Sequence, residues 1–158
     1  MATEPTPGFA TEPVSIEPMR LRDLDQVLRI ERLSFSAPWS RAAFLSELLE
    51  NDRARYFVAR IGDQVVGYTG MWIIIDEGHI TNVAVHPHWR NRGIATQLLD
   101  ALHDVARANG VRRMTLEVRK SNIVAHTLYE KLGFRDAGIR RAYYRDNNED
   151  AIIMWKEL

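Results

Sequence analysis

The hydrophobic pattern of this chain changes its period at Gly93. The stretch from His79 to Val85 before it has the short, apolar-rich character of a strand. After the glycine, apolar residues recur every three or four positions from Ile94 to Val105, which predicts an amphipathic helix. A strand, a tight turn and a helix therefore follow one another directly, and this order restricts the chain to folds that pack helices against a sheet.

The remaining segments extend this pattern into a complete domain. The same periodicities predict strands near residues 14–19, 56–61, 64–75, 79–85, 114–118, 134–144 and 150–155, and helices near residues 22–34, 40–49, 93–110 and 123–132. Ser40 is the candidate N-cap of the second helix. The strands between residues 56 and 85 are expected to form an antiparallel meander, with Asp76-Glu77-Gly78 as one of its turns. The order predicts an α/β (α+β) fold with a mixed sheet in one domain, residues 14–158, after a mobile tail, residues 1–13.

The charge balance and the absence of cysteine exclude several classes of function. The chain carries 21 basic and 21 acidic residues, so it lacks the strongly basic balance of many nucleic-acid-binding proteins. It has no cysteine, which excludes disulfides, thiolate metal ligands and a cysteine nucleophile. Its longest apolar runs, 71–75 and 151–155, are too short to cross a membrane. Because residues 1–13 lack the features of a secretory signal, we expect a cytoplasmic protein.

The turn before the predicted helix has the features of an anion site. It places a glycine at a helix start, where several backbone N–H groups lack intrahelical acceptors. Gly93 allows a ligand to approach the backbone closely, and Arg90 and Arg92 can add charge-assisted hydrogen bonds to a phosphate. The segment is neither a nucleotide P-loop nor a Gly-x-Gly-x-x-Gly motif, and a surface turn with two solvated arginines would have the same residues.

Two blocks of residues resemble the GNAT family of acetyltransferases. Arg90, Gly93 and Ala95 match the coenzyme A signature of that family, Gln/Arg-x-x-Gly-x-Gly/Ala. The second block follows in order: Leu116-Glu117-Val118-Arg119, Asn122, Ala125, Leu128-Tyr129 and Gly133-Phe134. The resemblance spans roughly residues 14–158 and implies a twisted, mixed, mostly antiparallel sheet of about seven strands with about four helices. It also implies that acetyl-CoA is the co-substrate.

The resemblance assigns a set of residues to acetyl-CoA. The pyrophosphate is expected on Arg90, Asn91, Arg92, Gly93, Ile94, Ala95 and Thr96. The pantetheine arm is expected along the backbone of Val83, Ala84 and Val85, and the N–H of Val83 or of a neighbour is the expected oxyanion donor. Asn122 is expected to contact the coenzyme A chain and to cap a helix.

Further segments resemble those family members that acetylate the N-terminal alanine of a ribosomal protein. These segments are Pro38-Trp39-Ser40, Leu128-Tyr129-Glu130 and residues 116–122, 139–144 and 149–154. The resemblance implies transfer of an acetyl group to a protein N-terminal α-amine, with the alanine of small-subunit ribosomal protein eighteen as the expected acceptor. A lysine side chain or a small amine is an alternative acceptor, and a non-catalytic coenzyme A-binding module is an alternative function.

Acetyl transfer to an amine needs a proton acceptor and a proton donor. The resemblance assigns proton removal to Glu117, and partial dehydration at its strand end could raise its pKa. Without the resemblance, a solvated glutamate at the strand end, paired with Arg119 or Lys120, would be the simpler interpretation. Glu77 is a weaker alternative base because it lies in the predicted turn. The resemblance assigns Tyr129 as the proton donor, although its helix position would equally suit a core tyrosine.

Aromatic residues are the candidates for the acceptor site. Trp39, Tyr143 and Tyr144 are expected to flank the acceptor end of the cleft, and simple core packing is an equally good account of them. His86 and His88 lie two residues apart without an obvious third ligand, so we predict no metal. The predicted partners are acetyl-CoA and a protein N-terminus, without nucleic acid or membrane.

Overall fold

The computed structural model describes residues 13–158, so the tail predicted over residues 1–13 lies outside the described residues apart from Pro13. The described strands are β1 (Ser15–Pro18), β2 (Ala54–Ile61), β3 (Gln64–Ile74), β4 (Glu77–Val85), β5 (Arg113–Arg119), β6 (Arg135–Tyr144) and β7 (Glu149–Glu157). The α-helices of the same range are α1 (Leu24–Ser34), α2 (Arg41–Leu49), α3 (Ile94–Ala108) and α4 (Ile123–Lys131). The predicted order of strands and helices is confirmed. Within this range no helix combines the length and the apolar character that a membrane crossing requires.

The strands form one sheet in the order β1-β2-β3-β4-β5-β7-β6. β1 pairs antiparallel with β2, and β7 pairs antiparallel with both β5 and β6. β4 and β5 pair in parallel, with Glu77 opposite Arg113 and His79 opposite Thr115. The predicted mixed, mostly antiparallel sheet is therefore confirmed, and β5 lies between a parallel and an antiparallel neighbour.

The turn predicted at Asp76-Glu77-Gly78 is wrong in position. β4 already begins at Glu77, and the chain reverses at Ile75 and Asp76, where Ile75 has a φ of 58°. Gly78 lies inside the strand. A glycine is needed there because a Cβ atom would come within 2.8 Å of the Met71 sulfur. The glycine therefore marks a close packing contact, which a sequence pattern does not distinguish from a turn.

The described residues group into two compact units, the first of which contains residues 13–52 with Tyr56–Thr69 and Val83–Ala101. Its core joins β2, β3, the end of β4 and α3 through Ala59, Ile61, Val66, Val85, Ile94 and Leu98. β3 approaches β4 closely at Gly67, since a Cβ atom there would lie 3.0 Å from the Ala84 carbonyl oxygen. This core holds the start of α3 beside the end of β4. The single domain predicted over residues 14–158 remains a prediction.

The second unit contains Arg53–Arg55, Gly70–Asn82 and Leu102–Leu158. Burial alternates along β5, so that Met114, Leu116 and Val118 are buried while the intervening side chains project to the other face. That other face carries Thr115, Glu117 and Arg119. The alternation therefore brings Glu117 and Arg119 to the same side of the sheet.

We expect the close approach at Gly67 to make its replacement by alanine costly. The new methyl group would meet a backbone oxygen at 3.0 Å, which cannot yield without a shift of β4, so Gly67→Ala should destabilise the fold by about 1–3 kcal/mol. Urea denaturation measures this difference. Gly138→Ala is the matched control, because the nearest atom to its Cβ lies 3.8 Å away, and equal losses in both variants would contradict the packing argument.

Candidate active site

The turn before α3 presents backbone N–H groups to its exposed side. The first helical hydrogen bond runs from the Gln97 N–H to the Gly93 carbonyl at 3.1 Å, so the N–H groups of Ile94, Ala95 and Thr96 have no intrahelical acceptor. Asn91 and Gly93 both adopt a left-handed backbone, with φ of 65° and 77°. A Cβ atom on Gly93 would meet nothing within 4 Å, so the space over the turn is open. This geometry suits a phosphate group.

The two arginines of this turn also have partners within the protein. Arg90 donates from Nε to the Val85 carbonyl at 2.9 Å and from Nη2 to the Ser34 hydroxyl at 3.4 Å. The guanidinium of Arg92 lies 4.8 Å from the centre of the Trp89 ring. Both side chains therefore brace the turn, and their contact with a phosphate remains a prediction. Val83, Ala84 and Val85 form the end of β4, directly before this turn, and their predicted contacts with the pantetheine arm also remain predictions.

Glu117 is held as an ion by residues of two other strands. Its side chain is only 10% exposed, its Oε1 accepts a hydrogen bond from His79 Nε2 at 2.9 Å, and its Oε2 lies 3.7 Å from Arg140 Nε. Burial alone would raise the pKa of Glu117, but the hydrogen bond from His79 and the charges of His79 and Arg140 outweigh it and lower that pKa below its ordinary value. The raised pKa considered from the sequence is therefore wrong, because it left out these partners.

Arg119 and Glu77 each form ion pairs with residues other than Glu117. Arg119 does not pair with Glu117 but forms ion pairs with Asp146 at 2.9 Å and Glu149 at 3.3 Å. Glu77 binds Arg113 at 2.7 Å on the more exposed start of β4. Glu117 is thus the more buried of the two carboxylates.

His79 is a site residue that sequence reasoning missed. It stands opposite Thr115 in the parallel register of β4 and β5, which brings its ring to the side of the sheet that carries Glu117. The Trp72 ring packs edge-on against it, with ring centres 6.1 Å apart. A lone histidine near the start of a strand does not indicate this pairing in the sequence. The two residues are 38 positions apart, and they meet only because of the register between β4 and β5.

Tyr129 is buried in the second unit, as the core interpretation predicted. Its ring is 7% exposed and meets Phe134 with ring centres 6.1 Å apart. Burial, with a smaller contribution from nearby Tyr144, raises the pKa of Tyr129 above its ordinary value. The hydroxyl therefore keeps its proton at neutral pH, which is the state that a proton donor needs. Packing and donation are compatible in this residue.

The N-caps predicted from the sequence are confirmed. Asn122 Oδ1 accepts the Ala125 N–H at 3.1 Å at the start of α4, and Ser40 Oγ accepts the Ala43 N–H at 3.1 Å at the start of α2. The contact of Asn122 with coenzyme A remains a prediction.

The two tyrosines of β6 lie at an irregularity of the β6–β7 pairing. Arg140 stands opposite Ala151 and Tyr144 opposite Glu149, so two extra residues on β6 bulge out between them. The rings of Tyr143 and Tyr144 are nearly perpendicular, with centres 5.1 Å apart. The guanidinium of Arg140 lies 5.9 Å from the centre of the Tyr143 ring, and its Nε lies 3.7 Å from Glu117 Oε2, so Arg140 links this tyrosine to the carboxylate. Burial and the negative charge of Glu117 raise the pKa of Tyr143, and the charge of Arg140 opposes them. The structure thus brings the predicted acceptor residues of β6 close to the predicted base.

Trp39 belongs to the first unit, where it combines packing with partial exposure. Its ring lies 5.3 Å from that of Phe44, and its backbone N–H donates to Glu31 Oε2 at 2.8 Å. Glu31 is 2% exposed and also accepts a hydrogen bond from the Tyr68 hydroxyl. The loop that carries Trp39 is therefore anchored by a buried carboxylate, and the role of Trp39 toward an acceptor remains a prediction.

One histidine and two carboxylates lie close together on and after α4, a cluster that the sequence analysis did not identify. His126 Nε2 is 2.7 Å from Asp136 and its Nδ1 is 3.5 Å from Glu130. These distances are those of an ordinary hydrogen-bonded pair with a second, weaker contact. His86 Nδ1 accepts the His88 N–H at 3.1 Å, which is a local cap. The prediction that the protein uses no metal remains a prediction.

Comparison with known proteins identifies the family. The profile of the acetyltransferase (GNAT) family matches residues 24–134, and the chain therefore belongs to this family. A Bacillus subtilis (strain 168) protein, named provisionally as a ribosomal protein bS18-alanine N-acetyltransferase, is 43% identical over 141 residues, which cover 89% of this chain and 93% of that protein. The ribosomal protein bS18-alanine N-acetyltransferase of Escherichia coli (strain K12) is 36% identical over 142 residues, covering 89% and 95%. The crystal structure of the ribosomal-protein-S18-alanine N-acetyltransferase from Escherichia coli superposes with a TM-score of 0.84 at 35% identity, covering 92% of this chain and 94% of that one.

We expect His79→Leu to raise the pKa of Glu117, because burial persists while the hydrogen bond that opposes it is lost. In the wild type the ionised carboxylate stabilises the fold above the unfolded-state pKa of about 4.3, and this contribution is lost as the pH falls through the lower folded pKa. A ¹³C NMR titration of the carboxyl group measures the change. His126→Leu is the control, since its ring faces Asp136 and not Glu117, and an unchanged Glu117 titration in His79→Leu would contradict the argument.

Proposed function

We propose that this protein transfers the acetyl group of acetyl-CoA to the α-amine of the N-terminal alanine of ribosomal protein bS18, in the cytoplasm. The observation that carries the proposal is the Glu117 carboxylate, which is paired with His79 and Arg140, while Arg140 also lies 5.9 Å from the Tyr143 ring. Membership of the GNAT family supports the reaction type. Relatives at 36% and 43% identity over nearly the whole chain, whose names give this activity, support the acceptor.

Acetyl-CoA would supply an acetyl group already activated as a thioester. The turn before α3 fits its pyrophosphate, because N–H groups without helical acceptors lie around the open space at Gly93. The segment Arg90 to Thr96 would hold the pyrophosphate, and the backbone of Val83, Ala84 and Val85 would run beside the pantetheine arm. Asn122, at the start of α4, would also contact the coenzyme A molecule.

Glu117 would act as a weak base. Moving a proton from an α-ammonium with a pKa of about 8 to a carboxyl group with a pKa below about 4.3 costs about 5 kcal/mol or more. The carboxylate therefore accepts the proton only as the nitrogen bonds to carbon and becomes more acidic. Until then the carboxylate, which His79 keeps ionised and oriented, would hold the amine directly or through a water.

A weak base favours an α-amine over a lysine side chain. At about pH 7.4, roughly a fifth of an α-amine with a pKa of about 8 is neutral, against roughly one in a thousand for a lysine with a pKa of about 10.4. A site that does not remove the ammonium proton by itself depends on this neutral fraction, so the α-amine has an advantage of about 200-fold. Tyr129, whose raised pKa keeps it protonated, would then donate a proton to the departing thiolate.

The proposal is tested with peptides that begin with the alanine of ribosomal protein bS18. Mass spectrometry after incubation with acetyl-CoA should find one acetyl group on the free N-terminus and none on the same peptide with a blocked N-terminus and an internal lysine. Glu117→Gln should lower kcat by about 100-fold or more. Glu77→Gln is the matched control, because that glutamate sits in an exposed ion pair with Arg113 and should leave kcat within about twofold. Acetylation of the blocked peptide, or equal losses in both variants, would contradict the proposal.

We expect Gly93→Ala to weaken the binding of coenzyme A. At a φ of 77° a methyl group adds about 1 kcal/mol of backbone strain and occupies the open space over the turn, so Kd should rise about tenfold. Isothermal titration calorimetry with coenzyme A measures this Kd in the wild type and the variant. Gly110→Ala at the other end of the same helix is the control, because its φ of 74° gives similar strain without a role in the turn, and an equal loss of affinity there would count against the assignment.

A further inference from the structure

Arg119 makes a set of contacts that the reaction outlined above does not use. It lies two residues after Glu117 on β5, so both side chains project from the same face of the strand. Its Nη2 lies 2.9 Å from Asp146, and its Nη1 lies 3.2 Å from the Asn147 side-chain oxygen and 3.3 Å from Glu149. One guanidinium therefore binds three residues in and beside the turn between β6 and β7.

The same guanidinium also covers an aromatic ring. Its central carbon lies 4.0 Å from the centre of the Tyr144 ring, which is a close cation–π contact. The planar fork of arginine can stack on a ring and bind acceptors at its edge at the same time, and a lysine cannot. Arg119 thus fixes both the turn and the tyrosine that precedes it.

A second set of hydrogen bonds ties this turn to the chain just after β5. Glu149 Oε2 accepts the Ser121 N–H at 2.6 Å, and the Lys120 N–H donates to the Asp150 carbonyl at 3.1 Å. Glu149 therefore bridges the guanidinium of Arg119 and the backbone of Ser121. The β6–β7 turn is bound to the same strand that carries Glu117.

The segment that these contacts hold is conformationally strained. Ala142 has a φ of 50°, which costs a non-glycine residue about 1 kcal/mol or more, and its N–H donates to Asp150 Oδ1 at 2.8 Å. Tyr143 lies within the bulge, and Tyr144 resumes the pairing with β7 opposite Glu149. Strained backbone persists only where surrounding contacts hold it, and Arg119 holds the residues that follow, Tyr144 and the β6–β7 turn.

We propose that Arg119 is a positioning residue for the acceptor amine substrate, because it holds Tyr143 and Tyr144 beside Glu117 through the β6–β7 turn. The inference rests on the proposed function and adds a specificity-determining residue to it. Loss of the guanidinium should free the turn and weaken the acceptor site. The three residues that Arg119 binds are not among those proposed to hold acetyl-CoA, so KM for acetyl-CoA should change little.

The test compares Arg119→Met with Arg113→Met. Arg113 lies on the same strand, binds Glu77 at 2.7 Å and covers Trp155 at 4.7 Å, so it matches the chemistry of Arg119 away from the tyrosines. Arg119→Met should raise KM for the alanine peptide about tenfold, with KM for acetyl-CoA within about twofold, whereas Arg113→Met should change neither. Arg119→Lys should recover only part of the loss, because an ammonium group cannot reproduce the fork.

A double-mutant cycle separates positioning from general destabilisation. If Arg119 acts through Tyr144, the increases in peptide KM caused by Arg119→Met and Tyr144→Leu should be strongly non-additive. Hydrogen exchange should be faster at residues 142–149 in Arg119→Met than in Arg113→Met. An unchanged peptide KM, equal changes in both KM values, or the same effect in Arg113→Met would overturn the inference.

Failure of the proposed function gives a different result. If the wild type acetylates no N-terminal peptide, the proposed function fails and the acceptor role of Arg119 fails with it. Faster hydrogen exchange confined to residues 142–149 in Arg119→Met would then show that Arg119 holds the turn in the wild type, whatever the protein's function. If the wild type is active and Arg119→Met has the same peptide KM as the wild type, the proposed function stands and only the inference about Arg119 is overturned.

Discussion

The Glu117 carboxylate, which is mostly removed from water, must be stabilised by charged and hydrogen-bonding partners within the second unit. Glu117 has little exposure, and an ionised group removed from water without partners costs several kcal/mol. Its partners come from two different strands, His79 on β4 and Arg140 on β6. The strand order makes both reachable, because β5 pairs directly with β4 and is separated from β6 only by β7. The ionised state of Glu117 therefore depends on the topology of the sheet.

The site contains two titratable groups whose pKa values move in opposite directions. Partners lower the pKa of Glu117, and burial raises that of Tyr129, so one is ionised and the other protonated at neutral pH. These are the protonation states that the proposed proton acceptor and proton donor need before the transfer. The stabilisation of Glu117 makes it a weak base, which suits an amine that is already partly neutral. In the proposed mechanism, the contacts that stabilise the charge of Glu117 would also favour α-amines over lysine side chains.

Most of the strands and helices could be predicted from hydrophobic period and local punctuation. The exception was the turn near Gly78, where a glycine required by the contact with Met71 has the same appearance as a turn glycine. The roles of Glu117 and Tyr129 stay predictions, while the direction of the Glu117 pKa was wrong and its partner His79 was missed. Both errors have one origin, because the partners of a side chain on a sheet depend on strand register, and a shift of one residue would turn His79 to the other face.

The sequence by itself determined the features that act over a few residues. These are the order of strands and helices, the caps at Ser40 and Asn122, and the glycine turn before α3. Only the tertiary structure decided which side chains meet across the sheet: His79 with Glu117, and Arg119 with the β6–β7 turn. The reason is physical, since the local features are set by backbone geometry within one or two turns of chain, whereas the others join residues about thirty to forty positions apart, whose meeting depends on the packing and register of the whole sheet.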